Sequence, residues 1–556
     1  MSFLFGRYTV FLLCWLVAAV AAWRLPTHPG AVWVLVPALG LGLLGIYDLL
    51  QRRHAVRRNY PVTGNIRYLF ESFRPELRQY LFEDDNEAQP FSRVQRAMVY
   101  QRAKQVLDKR PFGTQQDVYG DNYEWMNHSL LPSHIADSNF RVVVGGPGCR
   151  QPVSLSVLNI SAMSFGALSA NAILALNRGA KAGGFAHDTG EGGVSRYHRE
   201  PGGDLIWNIG SGYFGCRNAA GEFDPDSFAA TAALPQIRMI EIKLSQGAKP
   251  GHGGILPGAK VTIEIAEARG VAVGQDCNSP ARHSAFGTPI ELLQFVARLR
   301  ELSAGKPVGF KLCLGHPWEW FAIAKAMLET RITPDFIVID GAEGGTGAAP
   351  LELVDHVGMP LREALWLVHN TLVGINLRQQ IRLGASGKII SAFDMARAFA
   401  MGADWCNSAR GFMFAVGCIQ AQACHTGACP TGVATQDPKR QKALVVSDKS
   451  VRVANFHENT LRALAELLGA AGLQHPDQLR PHHIARRISS DEVRVLSALF
   501  PDLEPGEILQ GKFRQTIFRV AWPMARADSF EPTYSLSAAL SGHTVVDESP
   551  EAAQAD

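Results

Sequence analysis

The alternation of apolar and polar positions divides the chain into three textures. Near the start, Tyr8 to Trp23 is an uncharged run, and Ala31 to Tyr47 is a second one. At 1.5 Å per residue the first covers about 24 Å, short of a hydrocarbon core of roughly 30 Å unless it extends back to Phe3 with Arg7 snorkelling. The second reaches Leu50 if Asp48 lies at the interface. RLPTHPG, with two prolines and a glycine, separates them. The pattern predicts a two-helix transmembrane hairpin and basic linker over 1–58. A cleaved signal peptide ending near Ala22 leaves the second run unexplained. Gln51 to Tyr60 carries four arginines and no acid. The positive-inside rule then puts both hairpin ends, and the catalytic part, in the cytoplasm, with membrane lipid as a partner. The same run also reads as a solvated linker, which is compatible.

Residues 59–150 are polar with scattered aromatics and read as a lead-in or cap segment. Within it, FEDDNEAQPFSRVQRAMVYQRAKQ reads as an acidic loop followed by a helix. From 151 to 470 short apolar runs end in Gly/Ser-rich turns and alternate with helix-length segments. The runs are 154–160, 184–190, 239–244, 271–276, 308–314, 336–341, 381–387 and 404–409. Runs without strict alternation suit strands buried on both faces. Helices are predicted over 288–303, 317–329 and 391–401. Eight runs in this length predict an α/β fold, a (β/α)8 TIM-type barrel, with a doubly wound sheet as the alternative. NFHENTLRALAELLGAAG is an amphipathic helix ending in glycine. A helical C-terminal extension is expected over 471–540 and a disordered tail over 541–556.

Composition narrows the function classes. Lys+Arg total 54 against 51 Asp+Glu, a net +3, so no global charge argues for nucleic acid. With 47% hydrophobic and 19% charged residues the chain is not a disordered one. Its 53 glycines suit a backbone that closes on a ligand, and nine cysteines are too sparse for a disulfide scaffold.

Three groups of residues carry chemistry. Gly384, Ser386 and Gly387 follow the seventh run, and Asn407 to Gly411 follow the eighth. Barrels often hold a phosphate between these two loops, using backbone N–H groups. Lys243 and Lys311 interrupt apolar strands, a costly position unless an anion is near. A flavin that becomes negative near N1 on reduction is one such anion, and an internal salt bridge is the alternative. Cys418, Cys424 and Cys429 fall within one short stretch. They suit a three-iron four-sulfur (3Fe-4S) cluster, or zinc with His425 as fourth ligand.

Taken together, these residues resemble the FMN-binding synthase domain of the glutamate synthases, over about 150 to 470. The resemblance rests on the C-x5-C-x4-C-P-x-G-V-A-T-Q signature, ISAMSFGALS (160–169), DTGEGG (188–193), EIKLSQGAKPG (241–251), DGAEGGTGAAP (340–350) and VANFHENTLRALAELLG (453–469). It implies FMN at the strand ends. Ala162, Met163 and Ser164 would meet the ring, with Ser211, Lys243 and Lys311 nearby, and Gly387, Lys388, Ala409 and Arg410 would flank the phosphate. It implies a 3Fe-4S cluster on Cys418, Cys424 and Cys429. It further implies that 2-oxoglutarate and ammonia condense and are reduced to L-glutamate, with Glu191, Lys249 and Arg269 at the substrate.

The resemblance departs in three ways. The family's glutaminase domain has no counterpart here, so ammonia is expected from solution or a partner. Its β-helix domain has none either. The loop KPGHGGILPG carries His252 and Ile255 where the family has an acid and an amide, and SPARHSA stands for SPPPHHD. A lost amide weakens the case for 2-oxoglutarate itself. A membrane-associated electron-transfer module, and another FMN barrel oxidase or dehydrogenase, are therefore the alternatives. An electron-donor protein is a possible partner in the first and second readings.

Overall fold

The computed structural model describes residues 6–86 and 89–535; Phe3 and the expected tail over 541–556 lie outside the described residues. The chain divides into two compact units, 1–93 and 94–556. The lead-in stretch read as 59–150 is therefore shared between them.

The first unit is helical. α1 (Thr9–Arg24) and α2 (Val32–Leu50) are joined by a short turn. A Cβ on Gly42 would lie 2.9 Å from the Trp15 ring, and one on Gly45 would lie 2.2 Å from the Phe11 ring. Glycine at these positions lets the two helices approach closely. Among the described residues, one helix, Pro29–Leu50 at 22 residues, is long and apolar enough to cross a membrane. α1 has 16 residues. The expectation of two spans thus reduces to a helical hairpin with one member of span length, because α1 begins only at Thr9, with Arg7 and Tyr8 in a turn, and does not gain the residues ahead of it that a span would need. Asp48 is buried rather than set at an edge. Its Oδ2 accepts hydrogen bonds from the backbone N–H of Val62 (3.0 Å) and from Asn65 Nδ2 (2.5 Å). Beyond it come α3 (Ala55–Asn59) and α4 (Gly64–Leu77).

The second unit holds a closed barrel of eight parallel strands: β1 (Leu158–Ile160), β2 (His187–Asp188), β3 (Leu205–Ile209), β4 (Ile237–Lys243), β5 (Val308–Leu312), β6 (Phe336–Asp340), β7 (Arg382–Ser386) and β8 (Trp405–Ser408). Neighbours in sequence are neighbours in the sheet, and β8 closes on β1 with Asn407 opposite Asn159. This is the TIM-type barrel, and the doubly wound alternative falls. Most strand positions are buried, as a parallel sheet under helices requires.

Two of the eight expected runs need correction. VAVGQD, 271–276, is not a barrel strand. It lies in an insertion between β4 and β5 that carries a two-stranded antiparallel pair, Ile255–Leu256 with Cys277–Asn278. The missing strand is β3, LIWNI, with all five residues buried. The run 154–160 is two elements. Val153–Ser156 pairs antiparallel with Arg141–Val144, and only Leu158–Ile160 enters the barrel. The hairpin packs Val144, Val153 and Leu155 against Ile206, Met239, Phe336 and Trp405 and so joins one continuous core. The expected helices appear at Pro289–Leu302, Pro317–Thr330 and Ala392–Ala400, and the amphipathic segment extends to Val446–Ala470. The C-terminal extension is not purely helical. Ile484–Arg487 and Val493–Val495 form a three-stranded sheet with Glu124–Met126. Glu124 anchors that sheet. Its buried carboxylate accepts from Arg362, Arg397 and Arg486 at 2.7–2.8 Å.

Candidate active site

The loops after the strands converge at one end of the barrel. After β1, Ser161 N–H donates to Ser408 O (3.0 Å), and Ser161 Oγ lies 3.3 Å from Ser386 Oγ. The turn carrying Ala162, Met163 and Ser164 is thereby fixed beside the loops after β7 and β8. Gly190, at φ +63°, packs on the same turn; a Cβ there would be 2.6 Å from Ser164 N. After β7, Gly387 takes φ +149° and Lys388 φ +50°. After β8, Ala409 leads into the short helix Arg410–Ala415. Arg410 is half-buried and donates to Glu343 O (2.9 Å); burial lowers its pKa to about 10. Burial and the neighbouring Arg410 charge together lower that of Lys388. Two partly desolvated cations side by side are a fitting place for a phosphate, with the carboxylate of Glu343 close to both and favouring their charge. Gly384 and Asn407 do not belong to it. Gly384 lies inside β7, where a Cβ would be 2.6 Å from the Trp405 ring, and Asn407 Oδ1 accepts from Trp405 Nε1 within β8 (3.1 Å). Both serve barrel packing.

On the opposite side of the mouth, Lys243 Nζ at the end of β4 donates to Glu191 Oε2 (2.8 Å). Burial alone would raise the Glu191 pKa, but Lys243, Lys249 and Arg269 outweigh it and hold the carboxyl at about 2. Glu191 is therefore ionised at neutral pH. Lys249 is half-buried, and burial lowers its pKa. Arg269 is set into the wall rather than the opening. It donates to Phe165 O (3.3 Å) and Cys277 Sγ (3.6 Å) and stacks over Phe214 at 5.0 Å. Ser211 Oγ donates to Pro280 O, tying the loop after β3 to the insertion. Deeper in the barrel, Lys311 Nζ lies 3.7 Å from Asp340 Oδ2. Burial would lower Lys311, but Asp340, Glu241, Asp188 and Glu191 raise it, so it stays a cation. Both strand lysines thus have internal carboxylate partners, the salt-bridge alternative, while standing at the strand ends.

Sequence reasoning passed over four of these groups. Asp188 and Glu241 interact deep in the barrel, where burial first and then the neighbouring Asp188 push the Glu241 carboxyl well above the carboxylate range. Asp340 holds Gly247 N–H (3.0 Å) as well as Lys311. His283 accepts from Tyr213 Oη at Nδ1 (3.0 Å) and donates from Nε2 to Lys243 O (2.9 Å). Burial takes its pKa down to about 4, so it is neutral. Asp188, Glu241 and Asp340 carried the same signal as the lysines, a charge within an apolar strand.

The cysteine stretch is a loop between the helix Arg410–Ala415 and the helix Pro438–Gln441. Burial raises the Cys418 thiol, and so do Cys424 and Cys429, so the loop brings the three within electrostatic reach. Cys429 is the exception. Backbone N–H groups of Ala434, Thr431 and Val433 and the Thr431 hydroxyl outweigh its burial and lower its pKa. A sulfur aimed at several donors is suited to a thiolate ligand. His425 is exposed, and among the described residues no three His, Cys, Asp or Glu side chains form a ready metal-holding group. Side-chain hydrogen bonds tie the loop to its surroundings. Tyr100 Oη, on α5 (Arg93–Lys104), donates to Cys418 O (2.6 Å). Lys260 Nζ donates to Cys424 O (3.2 Å). Gln436 Nε2 donates to Gly166 O (3.0 Å) and Leu168 O (2.9 Å), bracing the loop after β1.

Residues 136–474 match the family model described as the conserved region in glutamate synthase. The chain belongs to the glutamate synthase family. It is 39% identical over 495 residues to the glutamate synthase large subunit-like protein YerD of Bacillus subtilis, spanning 82% of this chain and 94% of that one. It is 38% identical to the archaeal-type glutamate synthase [NADPH] of Thermotoga neapolitana, spanning 59% of this chain and 61% of that protein. A solved structure of a flavocytochrome b2 variant with pyruvate bound aligns over 80% of this chain and 97% of that chain, at a TM-score of 0.41 and 12% identity. At that level it adds nothing to the barrel seen directly in the strand pairing. Family membership makes the chain an oxidoreductase of the glutamate synthase kind.

Proposed function

We propose that this oxidoreductase converts a 2-oxo acid, 2-oxoglutarate or a close relative, and ammonia to the L-amino acid, L-glutamate in the first case. The observation that carries the reading is the ionised, half-buried Glu191 held among Lys243, Lys249 and Arg269 at the barrel mouth. Lysine at the rim suits a substrate carboxylate, while a fixed carboxylate favours an ammonium or iminium nitrogen beside it. Because Glu191 is already ionised, it holds positive nitrogen rather than giving up a proton. Arg269 acts from the wall, by its charge and by holding the loop at Phe165.

FMN would be held by the turn at Ala162, Met163 and Ser164, with Ser211, Lys243 and Lys311 nearby, and with its phosphate between Gly387, Lys388, Ala409 and Arg410. Cys418, Cys424 and Cys429 would hold a 3Fe-4S cluster. Once bound, the two would supply hydride and single electrons respectively. Lys311, kept cationic by its carboxylate neighbours, supports negative charge placed at the strand ends. The apolar hairpin reads as a membrane anchor, with the catalytic unit on the cytoplasmic side and an electron-donor protein as partner.

The altered loop, with His252 and Ile255, favours a second reading: another FMN barrel oxidase or dehydrogenase, or an electron-transfer module. Anaerobic assay of the full protein with a chemical reductant, ammonia and a panel of 2-oxo acids separates them. Amino acid formed in an ammonia-dependent way supports the first reading. Flavin turnover that ignores ammonia supports the second.

A further inference from the structure

α4 and the π-helical turn after it, Arg78–Phe82, carry an apolar stripe that the structure leaves open. Ile66, Leu69, Phe70, Phe73 and Leu77 follow a helical period, and Leu81 continues it. The first four are 53–63% exposed. The other face is polar, with Arg67 paired to Glu71 at 2.9 Å. A helix this exposed on its apolar side is not stable in water by propensity alone.

We infer that residues 64–82 lie in the headgroup interface of an anionic lipid bilayer, as an in-plane helix beside the hairpin. The inference rests on the hairpin reading above, and three observations carry it further. The first is rigidity. Asp48 at the end of α2 holds Val62 N–H and Asn65 Nδ2, so the start of α4 is fixed to the end of the apolar hairpin. A Cβ on Gly64 would be 2.9 Å from the Arg57 Cα, which packs α3 tightly against α4. The second is charge. The excess of arginine lies between the hairpin and α4, where residues 51–60 hold four arginines (52, 53, 57 and 58) and no acid; 64–82 itself has three arginines against Glu71 and Glu76, a net of 3 − 2 = +1, and Glu83, Asp84 and Asp85 follow it. That excess suits anionic headgroups, to which basic segments next to a membrane are drawn. The third is the aromatic content at the end of the stripe, where Tyr80 and Phe82 are also exposed. Aromatic side chains of this kind sit at the boundary between headgroup and acyl chain. A membrane beside the hairpin end meets all three conditions at once.

The test uses the full-length protein in vesicles of phosphatidylcholine with or without phosphatidylglycerol. Two variants carry a photoreactive group, Phe73→p-benzoylphenylalanine on the apolar face and Glu71→p-benzoylphenylalanine on the polar face. After irradiation, mass spectrometry should find lipid adducts at position 73 and few at 71. Adduct yield at 73 should rise about threefold with anionic lipid and fall with added salt. Cross-links from position 73 to polypeptide, a second copy or another protein, would overturn the inference, as would equal lipid yields at 71 and 73. Alkaline carbonate extraction of the same samples reads the hairpin separately. Protein that stays in the pellet without lipid adducts at 73 keeps the hairpin and sinks the interfacial helix. Lipid adducts at 73 from protein that carbonate releases keep the interfacial helix and sink the span.

Discussion

Glu191 shows how a side chain's role is set by its neighbours. Its folded pKa of about 2 lies below the ordinary 4.5, because three cations outweigh burial. A depressed carboxyl adds stability above its unfolded value and loses that contribution as pH falls from about 4.5 toward 2. Glu191→Gln is thus predicted to destabilise most at neutral pH, on the order of 3 kcal/mol, and least in acid. Denaturant titrations of both proteins near pH 7 and pH 3.5 check this; a gap that does not change with pH would refute it. The same substitution should slow turnover by roughly a hundredfold or more if Glu191 steadies a positive nitrogen. Lys388 and Arg410 make a second residue-scale test. Replacing either by Ala should weaken FMN binding by about tenfold, the worth of one charge-assisted contact. Flavin fluorescence on the stripped protein measures it, and unchanged affinity in both variants would move the phosphate elsewhere.

Among the elements, loops matter more than strands, because the strands only place loop ends. Gly190→Ala sets a methyl 2.6 Å from Ser164 N at φ +63°. Gly184→Ala, at the end of the helix Ala170–Gly183, has φ +67° and nothing within 4 Å. The second should cost only backbone strain, roughly 1–2 kcal/mol. The first should cost more and displace the turn at Ala162–Ser164, so thermal unfolding should rank the two and flavin content should fall only in the first. The cysteine loop is the other decisive element. Cys429→Ser should remove the sulfur most favoured as thiolate and lower iron and sulfide content, while flavin stays bound. A protein with one zinc and no iron, active as before, would restore the zinc reading.

The whole molecule joins a barrel unit to a helical unit of different chemistry. Alkaline carbonate should leave the full chain in the membrane pellet, and release into the supernatant would count against the anchor. Much of this was legible in the sequence. The N-terminal apolar runs, the eight-run texture, the strand lysines and the clustered cysteines follow from chemistry that depends on few neighbours: the cost of charge in apolar surroundings and the match of strand length to apolar runs. LIWNI and VAVGQD were not separable, since both are short apolar runs and only closure of the sheet shows which is shielded on both faces. Gly384 and Gly387 look alike in the chain, yet one packs on Trp405 and the other turns at φ +149°. Whether a lysine meets a carboxylate, whether Arg269 faces the opening or the wall, and whether Glu191 keeps its charge depend on groups far apart in sequence. The sequence by itself determined which residue types were available and that most of them lay at strand ends. Tertiary structure alone decided their partners and charge states, because desolvation and Coulomb terms act over a few ångströms of space and take no account of separation along the chain.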